Sequence, residues 1–449
     1  MLPISEIPVC LREFAAQFRK VFNHPAQRDH FEEILIGLIA SNNRTVAGIQ
    51  QKLLGSTEYD SLNHFMFMTD SPWSHDELRK QRLEWFSKNL PAEQISPQVI
   101  AIDSTLIHHS GDQIHGVFWY WDYVNHRYCL GQKIVVSTFV SPARTVPLGM
   151  ELYYRGFLPE QKLYLEATKP APDATAEAWD EYNNLVKKNE ENIKEHKTQL
   201  DLAGDLVDEC ERNQIPKEAY VLDGGFLDIE LMDKIEGYGQ AWISRLAKNR
   251  LVQLPSGKFD TAEAFAQSLS KEDFKPIEVE TRLGVKRTYW VFAKNVKIKF
   301  WKKLRMVISY DNPEQEGEPK YFLSNKLNWV QAQKILQLYM LRDPIEHLFR
   351  DEKQELGLED CQQRKKQAVL KFWELSFVAH TFLEMSLKVD YPEGMPVPKN
   401  ETIGQKTRFM EMKLLQSFTN LIKGLVLKKQ DTEELLAKIT RKRLNRLAC

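Results

Sequence analysis

The chain has 449 residues, 43% apolar and 27% charged, which is enough for two or three globular domains. Its five cysteines (Cys10, Cys129, Cys210, Cys361 and Cys449) include no CxxC pair; this argues against a zinc module and a disulfide framework and fits a reducing cytosol. The net charge of −1 excludes a uniformly basic surface, so any anion-binding face must be local. Residues 286–305 are rich in Lys and Arg and hold no acid, residues 422–446 are also basic, and acids concentrate over 177–211. A basic-then-apolar leader and a span-length apolar run are both missing, so no membrane association is expected.

Residues 1–95 read as all-helical, with apolar spacing of helical period over 4–22, 28–39, 45–54 and 74–87. Asn43 or Thr45 is placed to cap one of these helices. Short helices joined by short turns suit a DNA-binding domain of helix-turn-helix type; a helical cap without DNA contact is the alternative. Pro91 and Pro97 mark its end. The pattern then turns to β. Residues 98–103 read as a short strand ending in Asp103, residues 117–124 as an aromatic strand, 125–127 as a tight turn, 128–140 as a third strand, and 145–154 as a further addition. Trp119 and Trp121 read as packing residues on the aromatic strand. Asp112 and Asp122 compete with Asp103 as the functional acid, but one lies in a turn and the other in mid-strand.

Residues 174–213 read as one long solvated helix with Lys and Glu interleaved. Residues 218–223 form an apolar strand ending in Asp223, and Gly224 and Gly225 allow a sharp turn with close backbone approach. A helix over 226–235 and a strand over 240–245 complete a parallel βαβ unit with its acid at the carboxyl end of the strand. Asp228 competes but falls inside the helix. Residues 247–325 read as a β-rich insertion. The stretch 339–353 reads as helix, with Arg342, Glu346 and Arg350 at i, i+4 and i+8, flanked by Tyr339 and Lys353 on the same face. Pro344 either kinks this helix or opens a new one. Residues 364–389 form a long apolar helix, Pro392, Pro396 and Pro398 a linker, and the remainder a helical tail with a basic end.

Asp103, Asp223 and Glu346 thus stand on strand, strand and helix. Three convergent carboxylates repel unless cations neutralise them, and oxygen-only ligands select Mg²⁺ or Mn²⁺. Two such ions serve in-line phosphoryl displacement.

The spacing of Tyr339, Arg342, Glu346 and Lys353 resembles the Y-R-E-K signature of IS4-type transposases, a branch of the DDE transposases. With the two aspartates, the resemblance covers roughly residues 95–390. It implies an α/β fold: an RNase H-like mixed sheet flanked by helices, with a β-rich insertion and helical N- and C-terminal regions. The expected division is a DNA-binding domain over 1–95, a catalytic core over 96–246 and 326–390, the insertion over 247–325 and a tail over 391–449. The implied activity is cut-and-paste transposition: metal-dependent cleavage at transposon ends by hydrolysis and hairpin formation, then strand transfer to target DNA. A nuclease, or a domesticated DNA-binding protein without transposition activity, is the alternative. Carried over by position, Asp103, Asp223 and Glu346 resemble the catalytic, metal-binding triad with two Mg²⁺ or Mn²⁺ ions. Tyr339, Arg342 and Lys353 resemble residues that hold the DNA backbone, and Arg350 shares their face. The family also stacks an aromatic of its insertion on a flipped base, a role for which Trp290 and Trp301, beside cations, are candidates. The partners implied are double-stranded DNA (terminal inverted repeats and target) and a second copy of the chain, in a bacterial cytosol.

Overall fold

The computed structural model describes residues 3–54, 58–90, 97–122, 125–154, 159–194, 196–282, 284–329, 332–390 and 401–427. Pro91, Leu283, the proline linker and the basic end of the tail lie outside the described residues.

Five helices come first: α1 (Val9–Ala15), α2 (Pro25–Ala40), α3 (Val46–Lys52), α4 (Glu58–Thr69) and α5 (His75–Asn89). The apolar spacing located four of them; α4 was missed. Thr45 caps α3, its side chain accepting from the Gly48 amide. In α2 every residue from Ile34 to Ala40 is buried, so its last two turns face protein on all sides and leave nothing for a DNA groove. Gly37 makes this possible: a Cβ there would stand 2.1 Å from Ile49 Cγ2. Gly37→Ala is expected to destabilise the fold by about 1–3 kcal/mol through overpacking, as read by urea denaturation.

The sheet begins with β1 (Val99–His108), β2 (Phe118–Asp122), β3 (Arg127–Val140) and β4 (Thr145–Tyr153). All three neighbouring pairs are antiparallel, β1 on one edge of β3 and β2 and β4 along the other. β1 does not stop at Asp103. Ser104, Thr105, Leu106 and Ile107 continue it, paired with β3 as far as His108 opposite Gly131, so the acid sits in mid-strand.

Three helices follow: α6 (Pro159–Thr168), α7 (Ala176–Lys194) and α8 (Gln199–Arg212). The single solvated helix expected over 174–213 is therefore two. The capping box at Thr198 and Asp201 starts the second, which buries Leu202, Leu206, Val207 and Cys210 against the sheet. Then come β5 (Ala219–Leu222), α9 (Ile229–Gly237) and β6 (Trp242–Arg245), the expected parallel unit. Asp228 is the N-cap of α9, accepting from the Glu230 and Leu231 amides, which gives it a structural task.

The remaining strands are β7 (Leu251–Gln253) and β8 (Phe259–Thr261), then, after α10 (Ala262–Gln267), β9 (Lys275–Glu280), β10 (Lys286–Lys297), β11 (Lys303–Tyr310) and β12 (Lys320–Ser324). β7 and β8 pair by themselves. β9–β12 continue the main sheet instead: β12 bonds to β6 antiparallel, giving the order β2-β3-β1-β5-β6-β12-β11-β10-β9. The last described elements are α11 (Ala332–Met340), α12 (Pro344–Gln354), α13 (Lys366–Met385) and α14 (Ile403–Leu427).

Alternation along the strands divides the core. Val99, Ala101, Val221 and Ile243 pack with the N-terminal helices and α11–α14, and Ile100, Ile102, Leu222 and Trp242 pack with α8–α10. α13, buried on nearly every side, forms the axis of the first layer. Among the described residues no helix is long and apolar enough to cross a membrane. A large mixed sheet covered by helices on both faces, opening with three antiparallel strands and a parallel unit, is an RNase H-like architecture.

Candidate active site

Asp103 projects from the middle of β1 toward the α11–α12 layer, the face it shares with Val99 and Ala101. Asp223 follows the last residue of the neighbouring parallel strand β5. The two acids line one cleft of about 660 Å³, together with Ser104, Lys133, His196 and Gly225. At the close approach expected of Gly224, a Cβ would meet the Arg245 carbonyl oxygen at 3.3 Å, while Gly225 stands clear.

Pro344 settles the helical stretch. It occupies the first turn of α12, where its missing N–H costs nothing, so the predicted single helix is two, with Leu341, Arg342 and Asp343 between them. This break turns the polar residues to different neighbours. Tyr339 is buried at the end of α11, its ring 4.8 Å from that of Phe322. Arg342 reaches β1: Nη2 donates to Asp103 Oδ2 at 2.5 Å and Nη1 to Glu346 Oε1 at 3.3 Å. Glu346 lies in the first turn of α12 and is largely exposed. Lys353 turns back to the sheet, donating to the Leu106 carbonyl at 2.6 Å, with Glu359 Oε1 at 3.8 Å. Arg350 is exposed beside Asp351.

The electrostatics follow from this packing. Burial pushes the Asp103 carboxyl up, Asp223 adds to the rise, and Arg342 opposes both. Burial alone would lower the Arg342 value, but Asp103, Tyr339, Asp223 and Glu346 together raise it, so the guanidinium stays charged. Burial lowers Lys353, with Glu359 and Asp122 opposing, and it lowers Lys133, which Asp103 opposes. Burial also raises the Tyr339 hydroxyl.

Asp103, Asp223 and Glu346 offer oxygen donors only, the set suited to Mg²⁺ or Mn²⁺. Their carboxylates do not all lie within 4.8 Å of one another. Between Asp103 and Glu346 stands the Arg342 guanidinium, a cation bonded to both. The site thus has a demand for positive charge, and by its oxygen-only donors it would suit a divalent ion.

A second cleft of about 750 Å³ lies between the strands β10–β12 and α11–α14. Arg245, Arg287, Lys320, Arg342 and Arg350 line it, with Asp343, Asp351 and Glu384 interspersed. Three buried polar atoms at this cleft have no hydrogen-bond partner: Tyr339 Oη, Arg342 Nε and His380 Nε2. Buried polar atoms seldom go unpaired, so these three are a local cost of packing beside the cleft.

The two tryptophans lie elsewhere. Trp290 and Trp301 pack on the α8–α10 layer, and Trp301 stacks on Trp242 with centroids 5.7 Å apart and planes 2° from parallel. The aromatic of β10 that faces the second cleft is Tyr289. Trp119 and Trp121, expected to pack, are 48% and 39% exposed. Sequence reading also passed over Lys133 and Arg245. Lys133 opens the apolar run of β3, and a lone Lys at such a place was the available signal.

A family model described as DDE superfamily endonuclease matches residues 17–265, and one described as transposase DDE domain matches residues 191–382. No curated protein matches the chain. The first match spans more than half of the 449 residues and contains Asp103 and Asp223, and the second contains Asp223 and Glu346. The chain therefore belongs to the DDE superfamily endonucleases.

Proposed function

We propose that the chain is a cut-and-paste DNA transposase of the IS4 type, cleaving transposon ends and joining them to target DNA. The observation that carries the reading is the pairing of two features at one residue, Arg342, in the break between α11 and α12. Arg342 binds the acid of β1 and also lines a basic cleft with unpartnered polar atoms. A polyanion in that cleft would meet Arg245, Arg287, Lys320 and Arg350 as phosphate donors, and Arg can fork onto a phosphate.

Asp103, Asp223 and Glu346 would hold divalent ions, Mg²⁺ or Mn²⁺ and two in number, which activate the attacking oxygen and stabilise the leaving one. The chain's own residues then have separable tasks. Asp103 is fixed by the Ser104 amide, which donates to its Oδ1 at 2.8 Å. Arg342 holds Asp103 in the absence of DNA and is placed to take a phosphate oxygen instead. Tyr339 offers one hydroxyl, Lys353 a point charge near the end of β1, and Arg350 a further phosphate contact. Tyr289, facing the cleft, suits stacking on an extruded base better than Trp290 or Trp301, which belong to the opposite layer. Two ends must be processed together, so the active form is a dimer. The helices over 1–95 supply sequence contacts in this reading, through surfaces other than α2.

Incubation with DNA carrying the inverted repeats that flank the gene tests this. Nicking that requires Mg²⁺ or Mn²⁺ and stops with EDTA is expected, followed by a hairpin band on a denaturing gel. Binding without any cutting would favour a DNA-binding protein that no longer transposes; cutting without hairpin or joining would favour a nuclease. Lys353→Ala is expected to slow cleavage less than Glu346→Gln, since it removes positioning and leaves the carboxylates; single-turnover rates of the two variants check this, and equal losses would refute the division of roles.

A further inference from the structure

We propose that His108, Asp122 and Cys129 form a second metal site, for a zinc-class cation, separate from the acids of the first cleft. The strand registers bring the three together. His108 ends β1 opposite Gly131, Asp122 ends β2 opposite Arg127, and Cys129 lies opposite Tyr120. Residues 127, 129 and 131 alternate onto one face of β3, and residues opposite them on both neighbouring strands share that face. A ring nitrogen, a carboxylate oxygen and the thiol sulfur thus lie within 4.8 Å of one another. Tetrahedral zinc, with Zn–N about 2.0 Å and Zn–S about 2.3 Å, spaces its ligands roughly 3–4 Å apart.

Glu359 supplies a second observation. It lies 3.4 Å from His108 Nδ1 and accepts from the His108 amide at 3.4 Å, while His108 Nε2 lies 3.0 Å from Asp122 Oδ2. Glu359 thus stands on the Nδ1 side of the ring and Asp122 on the Nε2 side. Asp122 is held in turn by Asn125, whose backbone amide donates to Oδ1 at 3.1 Å and whose side-chain amide donates to Oδ2 at 2.7 Å, so a cation here would share an anchored carboxylate. A carboxylate behind a ligating histidine is the usual support of such a site.

The donor set of nitrogen, oxygen and sulfur selects zinc over magnesium. On binding, the Cys129 thiol gives its proton to solvent and the thiolate takes the ion, one proton released per metal. The His108 side chain is 44% exposed, which leaves a fourth position for water. The bound ion would tie the β2–β3 hairpin to the turn after α12, where Glu359 sits next to Lys353. No CxxC spacing advertises the site, because each ligand comes from a different strand.

The test uses the full-length chain, stripped by a chelator and titrated with Co²⁺ as a spectroscopic probe. A thiolate-to-cobalt charge-transfer band with tetrahedral visible bands is expected, saturating at one equivalent and displaced by Zn²⁺. Cys129→Ser should abolish the band, and His108→Ala should weaken Co²⁺ binding at least tenfold. Glu359→Gln should weaken it about 10–100-fold with the band retained. Glu346→Gln should leave the band unchanged, which separates this site from the first cleft. The cluster of His30, Glu33 and His64 has no sulfur and cannot produce the band. Absence of the band in the wild-type chain, its survival in Cys129→Ser, or unchanged affinity in His108→Ala would each overturn the proposal; circular dichroism of the variants confirms that they are folded.

Discussion

Glu346→Gln is expected to lower DNA cleavage about a thousandfold while DNA binding is retained. Ion-supplied charge stabilisation in phosphoryl transfer is worth several kcal/mol, and each 1.36 kcal/mol is a factor of ten. The substitution keeps size and shape and removes only the charge. Its structural cost should be small, because Glu346 is largely exposed and its partner Arg342 also holds Asp103. Binding should persist because the cationic wall of the second cleft is untouched. Single-turnover cleavage beside a gel-shift titration checks both halves. A variant that cuts at the normal rate would remove Glu346 from the chemistry, and loss of both activities would make it a folding residue.

Glu374→Ala is expected to destabilise the whole chain by about 3–5 kcal/mol, the cost of leaving a buried charge without its partner. Glu374 is fully buried in α13 and accepts from Arg82 Nε at 2.7 Å and Arg79 Nε at 3.3 Å. Both arginines come from α5, and their remaining nitrogens reach β4: Arg82 to the Pro147 and Leu148 carbonyls, Arg79 to the Met150 carbonyl and Glu151. Burial would lower the Arg79 value, but Glu209, Glu374 and Glu151 raise it, so the cation persists. Removing Glu374 strands Arg82, whose side chain is wholly buried. Replacing the pair together, as Arg82→Met with Glu374→Leu, should recover much of the loss. Urea denaturation of the single and double variants gives the comparison, and near-equal losses would show that packing dominates over charge.

The sequence placed the three candidate acids on their elements more closely than it placed what surrounds them. Asp103, Asp223 and Glu346 were singled out because alternation, strand ends and i, i+4 spacing are local signals, although β1 runs on past Asp103 to His108. The Pro344 break was visible as an ambiguity, and only packing against β1 shows why it matters: it frees Arg342 to turn from the helix to Asp103. Trp290 was placed by its neighbouring cations, yet on a strand the adjacent residue faces the other layer, and Tyr289 faces the cleft. A run of alternating residues does not state which face is the functional one until the sheet order is known. The same limit hid the joining of β12 to β6, since a strand's partner some eighty positions away leaves no trace in its own composition.

That joining has a mechanical consequence. Were β6 an edge, the segment after it could swing, and the cleft wall bearing Arg287 and Tyr289 could move independently of Asp223. Hydrogen bonds from β5 through β6, β12 and β11 to β10 instead make the wall and the acid parts of one plate. On the proposed function, a duplex entering the cleft would be admitted by displacement of the helical side, where α11, α12 and α14 border the opening. The plate is the anvil and the helices are the jaw, so crosslinks that pin α14 to α12 should block loading, whereas crosslinks within the sheet should not.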